Sequence, residues 1–339
     1  MKLPDKAALR KFVNDNAIFI VLIILVLAIA FQNPAFLSMN NLRNIMIMSS
    51  TRIIIALGVG GILITQGTDL SAGRMVGLAA VISASMLQTL DYSRRFFPNL
   101  PEIPLIVPIL ICILTGIILG FANGLIVAKL NVPPFIATLG TMVIIYGMNS
   151  IYFAMEPNNS QPIGGLRPDF TKLGTGYIGP SGPYSIPYIV IIALIVAVLV
   201  WVLLNKTTIG KSLYAIGGNP QAARVSGINV SRMLIFVYSF AGAMYGLAGV
   251  LEAGRTGGAT NNYGNMYELD AIAACVVGGV STSGGIGTVP GMLAGVLIFG
   301  VINYGLTFIG VNPYWQQIVK GLIIVFAVAF DIAKYYVKK

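Results

Sequence analysis

Ten apolar runs, separated by polar or glycine-rich intervals, dominate this sequence. A helix needs about 20 apolar residues to cross the ~30 Å hydrocarbon core of a bilayer. Hydrophobic residues make up 56% of the 339 and charged residues only 9%, far below the ~25% charge of a soluble domain. We therefore predict an all-α integral membrane protein of about ten transmembrane helices that forms a single domain over 1–339. The runs lie at about 17–31, 44–65, 72–90, 104–130, 134–154, 186–204, 233–251, 268–280, 288–309 and 314–330.

The positive charges lie at the ends of these runs, as the positive-inside rule expects of membrane proteins. If the N-terminus is inside, ten crossings return the C-terminal lysines to the same side and also place the basic interval 205–232 inside. Nine crossings, with 268–280 re-entrant, would put those lysines outside. We therefore predict ten crossings and cytoplasmic termini. The start of the chain resembles a signal peptide, but the polytopic pattern favours a retained first helix.

Several kinds of chemistry are excluded by residue content. The chain has no histidine, and its two cysteines, Cys112 and Cys275, lie in apolar runs, so neither a metal site nor a His-based catalytic centre is predicted. The net charge of +10 is spread over span ends rather than gathered in a nucleic-acid-binding patch. Gly210-Lys211-Ser212 resembles the end of a phosphate-binding loop, but Asn205 stands where that motif requires glycine. We expect no nucleotide or other cofactor on this chain and no enzymatic activity.

An internal repeat divides the chain. GFANGLIVAKLNVPPF (120–135) recurs as GVINYGLTFIGVNPY (300–314) with Gly, Asn and Pro 180 positions later. LSAGR (70–74) similarly recurs as LEAGR (251–255) after 181 positions. The copies would extend over about 44–154 and 233–330. Five crossings separate them, so they would have opposite orientations, which is typical of transporters that build a pathway between inverted halves.

Polar residues within or beside the spans are candidates for that pathway. Amides can donate and accept at once, which suits a hydroxyl-rich solute, but they also join packed helices in membranes. Both interpretations remain open for the candidate pathway residues, which are Gln66, Asp69, Asn123, Asn303 and Tyr304.

Charged residues form a second group, either as gates or as salt bridges at helix ends. Glu268 and Asp270 open a short helix, where carboxylates suit the helix dipole. The glycine-rich stretch 278–291 after that helix is either a mobile gate or a tight turn. The full group is Arg74, Glu252, Arg255, Glu268 and Asp270.

The interval 205–232 contains a short helix with its own start and stop signals. Asn219 can cap it, Pro220 suits its first position and Gly227 can end it in a left-handed conformation. A helix of about seven polar residues is too short to be stable in isolation. We therefore predict that it docks on a partner protein.

Five segments in order, ITQGTDLSAG, PFIATLGTM, GKSLYAIGGNPQAARVSGI, ELDAIAACVVGGVS and GGIGTVPG, resemble the membrane permeases of bacterial ABC sugar importers, over nearly the whole chain. This is the branch that moves ribose, galactose and other monosaccharides, with a type II importer fold. Within it, Gln66, Thr68 and VNPYWQQIVKG favour a galactose/methyl-galactoside substrate over ribose.

The resemblance implies a homodimer in the inner membrane, embedded in lipid, with two ATP-binding subunits that hold ATP and Mg²⁺ and a periplasmic sugar-binding protein. It also implies that the short helix is the coupling helix that docks on the ATPase. A secondary sugar transporter is the remaining alternative. The residues matched to the coupling segment are Gly217, Gly218, Asn219, Pro220, Ala222, Ala223, Arg224, Ser226 and Gly227.

Overall fold

The computed structural model describes residues 17–179, 182 and 184–336. Helices form almost all of this part of the chain. A single 3₁₀ turn (Pro34–Leu37) and one two-stranded antiparallel pair, β1 (Tyr177–Ile178) and β2 (Ile186–Pro187), complete it. The helices are α1 Ala17–Gln32, α2 Met39–Ile64, α3 Ala72–Met86, α4 Ile106–Lys129, α5 Pro134–Ala154, α6 Pro168–Thr175, α7 Tyr188–Lys206, α8 Thr208–Gly218, α9 Pro220–Val225, α10 Val230–Thr256, α11 Tyr267–Val277, α12 Val289–Phe308 and α13 Pro313–Tyr336.

Each of the ten predicted runs coincides with a helix, so the predicted all-helical membrane fold is confirmed. Among the described residues, six helices are long and apolar enough to cross a bilayer by themselves: α2, α4, α5, α7, α10 and α12. The short helices α3 and α11, with 15 and 11 residues, are only about 22 and 16 Å long. They are shorter than the hydrocarbon core and lie largely buried among the longer helices.

Helix α10 forms the centre of the bundle and packs against α4, α3 and α2. Its start and end follow from the sequence: the side chain of Asn229 accepts a hydrogen bond from Arg232 N, and Gly257 ends the helix at φ +72°. Gly116 of α4 faces Gly242 of α10 so closely that a Cβ on either would lie 2.0 Å from the other's carbonyl oxygen. Small residues therefore fix this central crossing.

The same order of long and short helices occurs twice along the described part of the chain. A long helix, a short one and two long ones follow each other as α2–α5 and again as α10–α13. The segments 120–135 and 300–314 both end a long helix and begin the next one, so they occupy equivalent places. The LSAGR–LEAGR match is wrong as a repeat, because LSAGR begins α3 whereas LEAGR lies at the end of α10.

Candidate functional site

Helix α9 is the short capped helix that the sequence predicts, with six residues. The Asn219 Oδ1 atom accepts hydrogen bonds from the backbone N–H groups of Gln221 and Ala222, at 2.9 and 3.0 Å. Pro220 begins the helix, and Gly227 follows it at φ +84°, a conformation that favours glycine. The preceding helix α8, whose N-cap is Thr207, was not predicted from the sequence.

One face of α9 belongs to the protein's own core. Ala223 is only 3% exposed and packs with Ile216 and Val230. A docking role for the Ala223 side chain is therefore wrong. Val225, which sequence reasoning missed, is 91% exposed. The exposed face, which we call the α9 surface, consists of Gly218, Asn219, Gln221, Ala222, Arg224, Val225, Ser226 and Gly227.

The base of this segment is fastened to the linker that follows α2. The carbonyl oxygen of Gly217 accepts a hydrogen bond from Gln66 Nε2 at 2.9 Å. A Cβ on Gly217 would lie 1.8 Å from Ile64 O, so the two backbones touch. Gln66, a candidate pathway residue, thus lies against the coupling segment.

The glycine-rich stretch after α11 completes the same junction. Gly285 N donates to Ile64 O at 2.8 Å, and the Tyr214 hydroxyl donates to Gly287 O at 2.8 Å. Burial raises the pKa of Tyr214, which keeps this donor protonated. The junction thus brings together two linkers beside α8: 65–71, which joins α2 to α3, and 278–288, which joins α11 to α12.

Two other candidate pathway residues lie in a buried network. Asp69 Oδ1 accepts from the Ser71 backbone N–H and hydroxyl, at 2.9 and 2.6 Å. The Asn123 Nδ2 atom donates to Ser71 Oγ at 2.9 Å. Asp69 and Asn123 are both 0% exposed, which favours the helix-packing interpretation for Asn123. Asp69 bonds to Ser71 rather than forming a salt bridge with Arg74.

A cavity of about 230 Å³ with polar and apolar lining residues lies between α2, α10, α11, α12 and α13. Asn303, Asp270 and Arg255, all singled out from the sequence, meet in it although 48 positions separate the outermost two. Its other lining residues are Met48, Ser49, Arg52, Ala271, Ala274, Val296, Phe299, Gly300, Thr307, Gln316 and Lys320.

A buried carboxylate organises the charges beside this cavity. Glu252 is 2% exposed and accepts hydrogen bonds from Thr51 Oγ1, Tyr267 Oη and Arg255 Nη2, at 2.9, 3.0 and 2.8 Å. The Arg52 guanidinium lies 3.1 Å above the Tyr267 ring centroid. The salt-bridge interpretation of Glu252 and Arg255 fits this geometry, but the pair is buried at the cavity rather than exposed at an interface.

The remaining candidates lie apart from the cavity. Arg74 donates to Asn265 Oδ1 at 2.7 Å and lies over the Tyr146 ring. Glu268 is 7% exposed at the start of α11. The Tyr304 hydroxyl donates to Asn41 Oδ1 at 2.6 Å and joins α12 to the start of α2, so its side chain serves packing.

Sequence reasoning missed Ser49, Arg52 and Lys320. A signal for Arg52 was present, since an arginine thirteen positions into the 26-residue helix α2 lies at membrane depth, where charges are costly and mark functional positions. Lys320 pairs with Asp270 at 3.2 Å, a partner 50 positions away that no local pattern reveals.

These features are typical of a membrane permease: an apolar helical bundle, a cavity with polar lining residues between its helices, and an exposed capped helix at one end. Comparison with known families agrees: residues 41–328 match the family described as branched-chain amino acid transport system / permease component, and the chain belongs to this family.

Curated relatives are similar over all or nearly all of their lengths. The chain is 54% identical to the galactose/methyl galactoside import permease protein MglC of Escherichia coli over 339 residues, all of both chains. It is 57% identical to MglC of Haemophilus influenzae over 326 residues, 96% of each chain. The ribose import permease protein RbsC of Escherichia coli is 37% identical over 327 residues, again 96% of each. No solved structure gave a significant match.

Proposed function

We propose that this protein is the transmembrane subunit of an ATP-driven importer that moves galactose or methyl galactoside across the bacterial inner membrane. The α9 surface carries this proposal, because a six-residue helix with an exposed Val225 and a buried base is a docking element fastened to the transport machinery. The substrate is proposed from the relatives, since identity to galactoside permeases is 53–57% and to ribose permeases 37–39%.

The proposed mechanism uses the junction at Gly217. A separate ATP-binding subunit docks on the α9 surface and moves it when ATP binds. Gln66 is hydrogen-bonded to Gly217 at the base of that surface, and Gly285 is hydrogen-bonded to Ile64 at the end of α2, so the movement reaches α2–α3 and α11–α12 together. The two halves then alternate between openings to either side. This chain breaks no covalent bond and binds no cofactor, and ATP with Mg²⁺ acts on the partner.

The proposed assembly is a homodimer of this permease with two ATP-binding subunits on the cytoplasmic side and a sugar-binding protein in the periplasm. Both termini would then be cytoplasmic. The alternative, a self-sufficient secondary transporter, has no use for an exposed docking helix.

The experiment is uptake of labelled galactose and of labelled ribose in cells with and without this chain. Each strain is also tested after deletion of the gene for the ATP-binding subunit. We expect galactose uptake to require both chains and to exceed ribose uptake. Uptake that continues without the ATP-binding subunit would overturn the proposal, and faster ribose uptake would reassign the substrate.

A further inference from the structure

Three buried polar atoms around the cavity have no hydrogen-bond partner: Ser49 Oγ, Arg52 Nη1 and Asn303 Oδ1. Ser49 is 1% exposed. Buried polar groups in proteins are nearly always satisfied, so such atoms gathered on one cavity indicate a ligand or ordered water. Arg52 can only donate, Asn303 Oδ1 can only accept, and a hydroxyl such as Ser49 can do both. A ligand that satisfies these three atoms must both donate and accept hydrogen bonds, as hydroxyl groups do.

The volume and the lining of the cavity narrow the choice of ligand further. Its volume of about 230 Å³ is below the ~300–1,000 Å³ of drug-sized ligand pockets, which suits a single small ring. Met48, Val296 and Phe299 supply apolar surface beside the polar atoms. A sugar ring also combines apolar and polar surface, with C–H groups on its faces and hydroxyl groups around its edge.

The charges of the cavity favour a neutral ligand. Lys320 is paired with Asp270, and Arg255 is paired with Glu252. Arg52 lies against the Tyr267 ring and near Glu252. Because each cation already has a carboxylate or an aromatic face beside it, the cavity presents hydrogen-bond donors rather than a free positive charge for an anion.

The cavity lies in the half of the bundle away from the α9 surface. Helix α10 begins at Val230, directly after that surface, and Arg255 lies 25 residues further on, roughly 37 Å along the axis. A solute in the cavity would therefore be on the side opposite the proposed ATP-binding subunit.

We infer that this cavity is a monosaccharide-binding site within the permease, in which Asn303 and Arg52 contact sugar hydroxyls and Glu252 positions Arg255. The inference rests on the proposed function and deepens it. The permease would hold the sugar after delivery from the periplasmic side and contribute to substrate selection itself.

The test is equilibrium binding of labelled galactose to the full-length permease in lipid nanodiscs, without the sugar-binding protein. Asn303→Ala should weaken binding about five- to tenfold, the effect of one lost hydrogen bond. Asn149→Ala is the matched control, because Asn149 is 1% exposed, also has an unpartnered Oδ1 and lies outside the cavity. Melting temperatures of both variants show that each is folded.

A second measurement, protection of an introduced cysteine, detects galactoside binding that is too weak for the equilibrium assay. Thr307→Cys places a thiol on the cavity wall, and methyl galactoside should protect it saturably from a thiol reagent, while Ser160→Cys on the loop after α5 should stay unprotected. A phosphorylated hexose should protect less well. Equal protection of both cysteines, protection by the phosphorylated sugar alone, or equal galactose binding by both alanine variants would overturn the inference.

Transport assays in proteoliposomes separate this inference from the proposed function. The proteoliposomes contain the permease, the ATP-binding subunit and the sugar-binding protein. If labelled galactose is not transported in an ATP-dependent way, the proposed function fails. If it is transported normally but the cavity shows neither binding nor protection, then the cavity holds only water, and only this inference fails.

Discussion

Gln66 Nε2 donates a hydrogen bond to the carbonyl oxygen of Gly217 over 2.9 Å and joins two segments 151 positions apart. One segment leads into the first short membrane helix, α3, and the other leads into the proposed docking helix, α9. This contact is a route by which a movement of α9 would reach the membrane helices of the first half.

The first prediction concerns Gly217 itself. Gly217→Ala should impair coupling, because its Cβ would lie 1.8 Å from Ile64 O and 2.4 Å from Gly285 N. We expect ATP-dependent uptake to fall severalfold while the permease still inserts. Gly147→Ala on α5 is the control, since a Cβ there meets no atom within 4 Å and the residue lies outside the α9 surface. Uptake and sugar-stimulated ATP hydrolysis in proteoliposomes measure the effect, and similar losses in both variants would contradict the junction's role.

The second prediction separates the two faces of α9. Ala222→Phe should reduce co-purification of the ATP-binding subunit and leave the melting temperature unchanged, because Ala222 is exposed. Ala223→Phe should instead destabilise the permease by about 1–3 kcal/mol, because it overfills the core around Ile216 and Val230. Pull-down of the ATP-binding subunit measures docking, and thermal unfolding measures stability, for both variants. Unimpaired co-purification with Ala222→Phe would argue against docking at this face.

The third prediction concerns the buried carboxylate Glu252. Glu252→Gln leaves the Arg255 charge without its partner, and breaking a buried pair in this way costs about 3–5 kcal/mol. The control is Asp169→Asn in the first turn of α6, where Arg167 lowers the pKa of the exposed Asp169 carboxyl through a hydrogen bond. That change should cost no more than about 1 kcal/mol. Thermal unfolding should show the difference, and equal shifts would mean that Glu252 does not anchor the cavity.

The fourth prediction concerns the cavity wall. A Cβ at Gly300 would lie 2.3 Å from Ser49 Oγ, so Gly300→Ala should push that side chain into the cavity. We expect apparent affinity for galactose during transport to fall severalfold. Gly140→Ala on α5, where a Cβ meets nothing within 4 Å, should behave as the wild type. An unchanged KM in Gly300→Ala would show that the sugar does not use this wall.

The fifth prediction concerns Asn123, which the sequence left open between packing and transport. Asn123→Leu should lower stability by about 1–3 kcal/mol, because the buried Ser71 hydroxyl loses the hydrogen bond that it accepts from Asn123. The yield of folded protein should fall with it. Loss of transport at full yield and an unchanged melting temperature would instead indicate a pathway role.

The helices were predictable because apolar runs of membrane length leave few other structures open to the chain. Helix α9 was predictable from Asn219, Pro220 and Gly227, since capping acts through neighbouring residues. The orientation of Ala223 was not, because a six-residue helix has less than two turns and shows no periodicity. The Lys320–Asp270 pair depends on how α13 packs on α11, which sequence patterns do not encode.

The burial of Ala223 and the exposure of Ala222 place two neighbouring alanines under different constraints. The first must fit the same chain, whereas in the proposed assembly the second must fit the ATP-binding subunit. Among permeases that exchange one ATP-binding subunit for another, the inward face of α9 should therefore stay constant while its outward face varies together with the partner. A chimaera that replaces only the outward residues should be enough to redirect the permease to a different energy-supplying subunit.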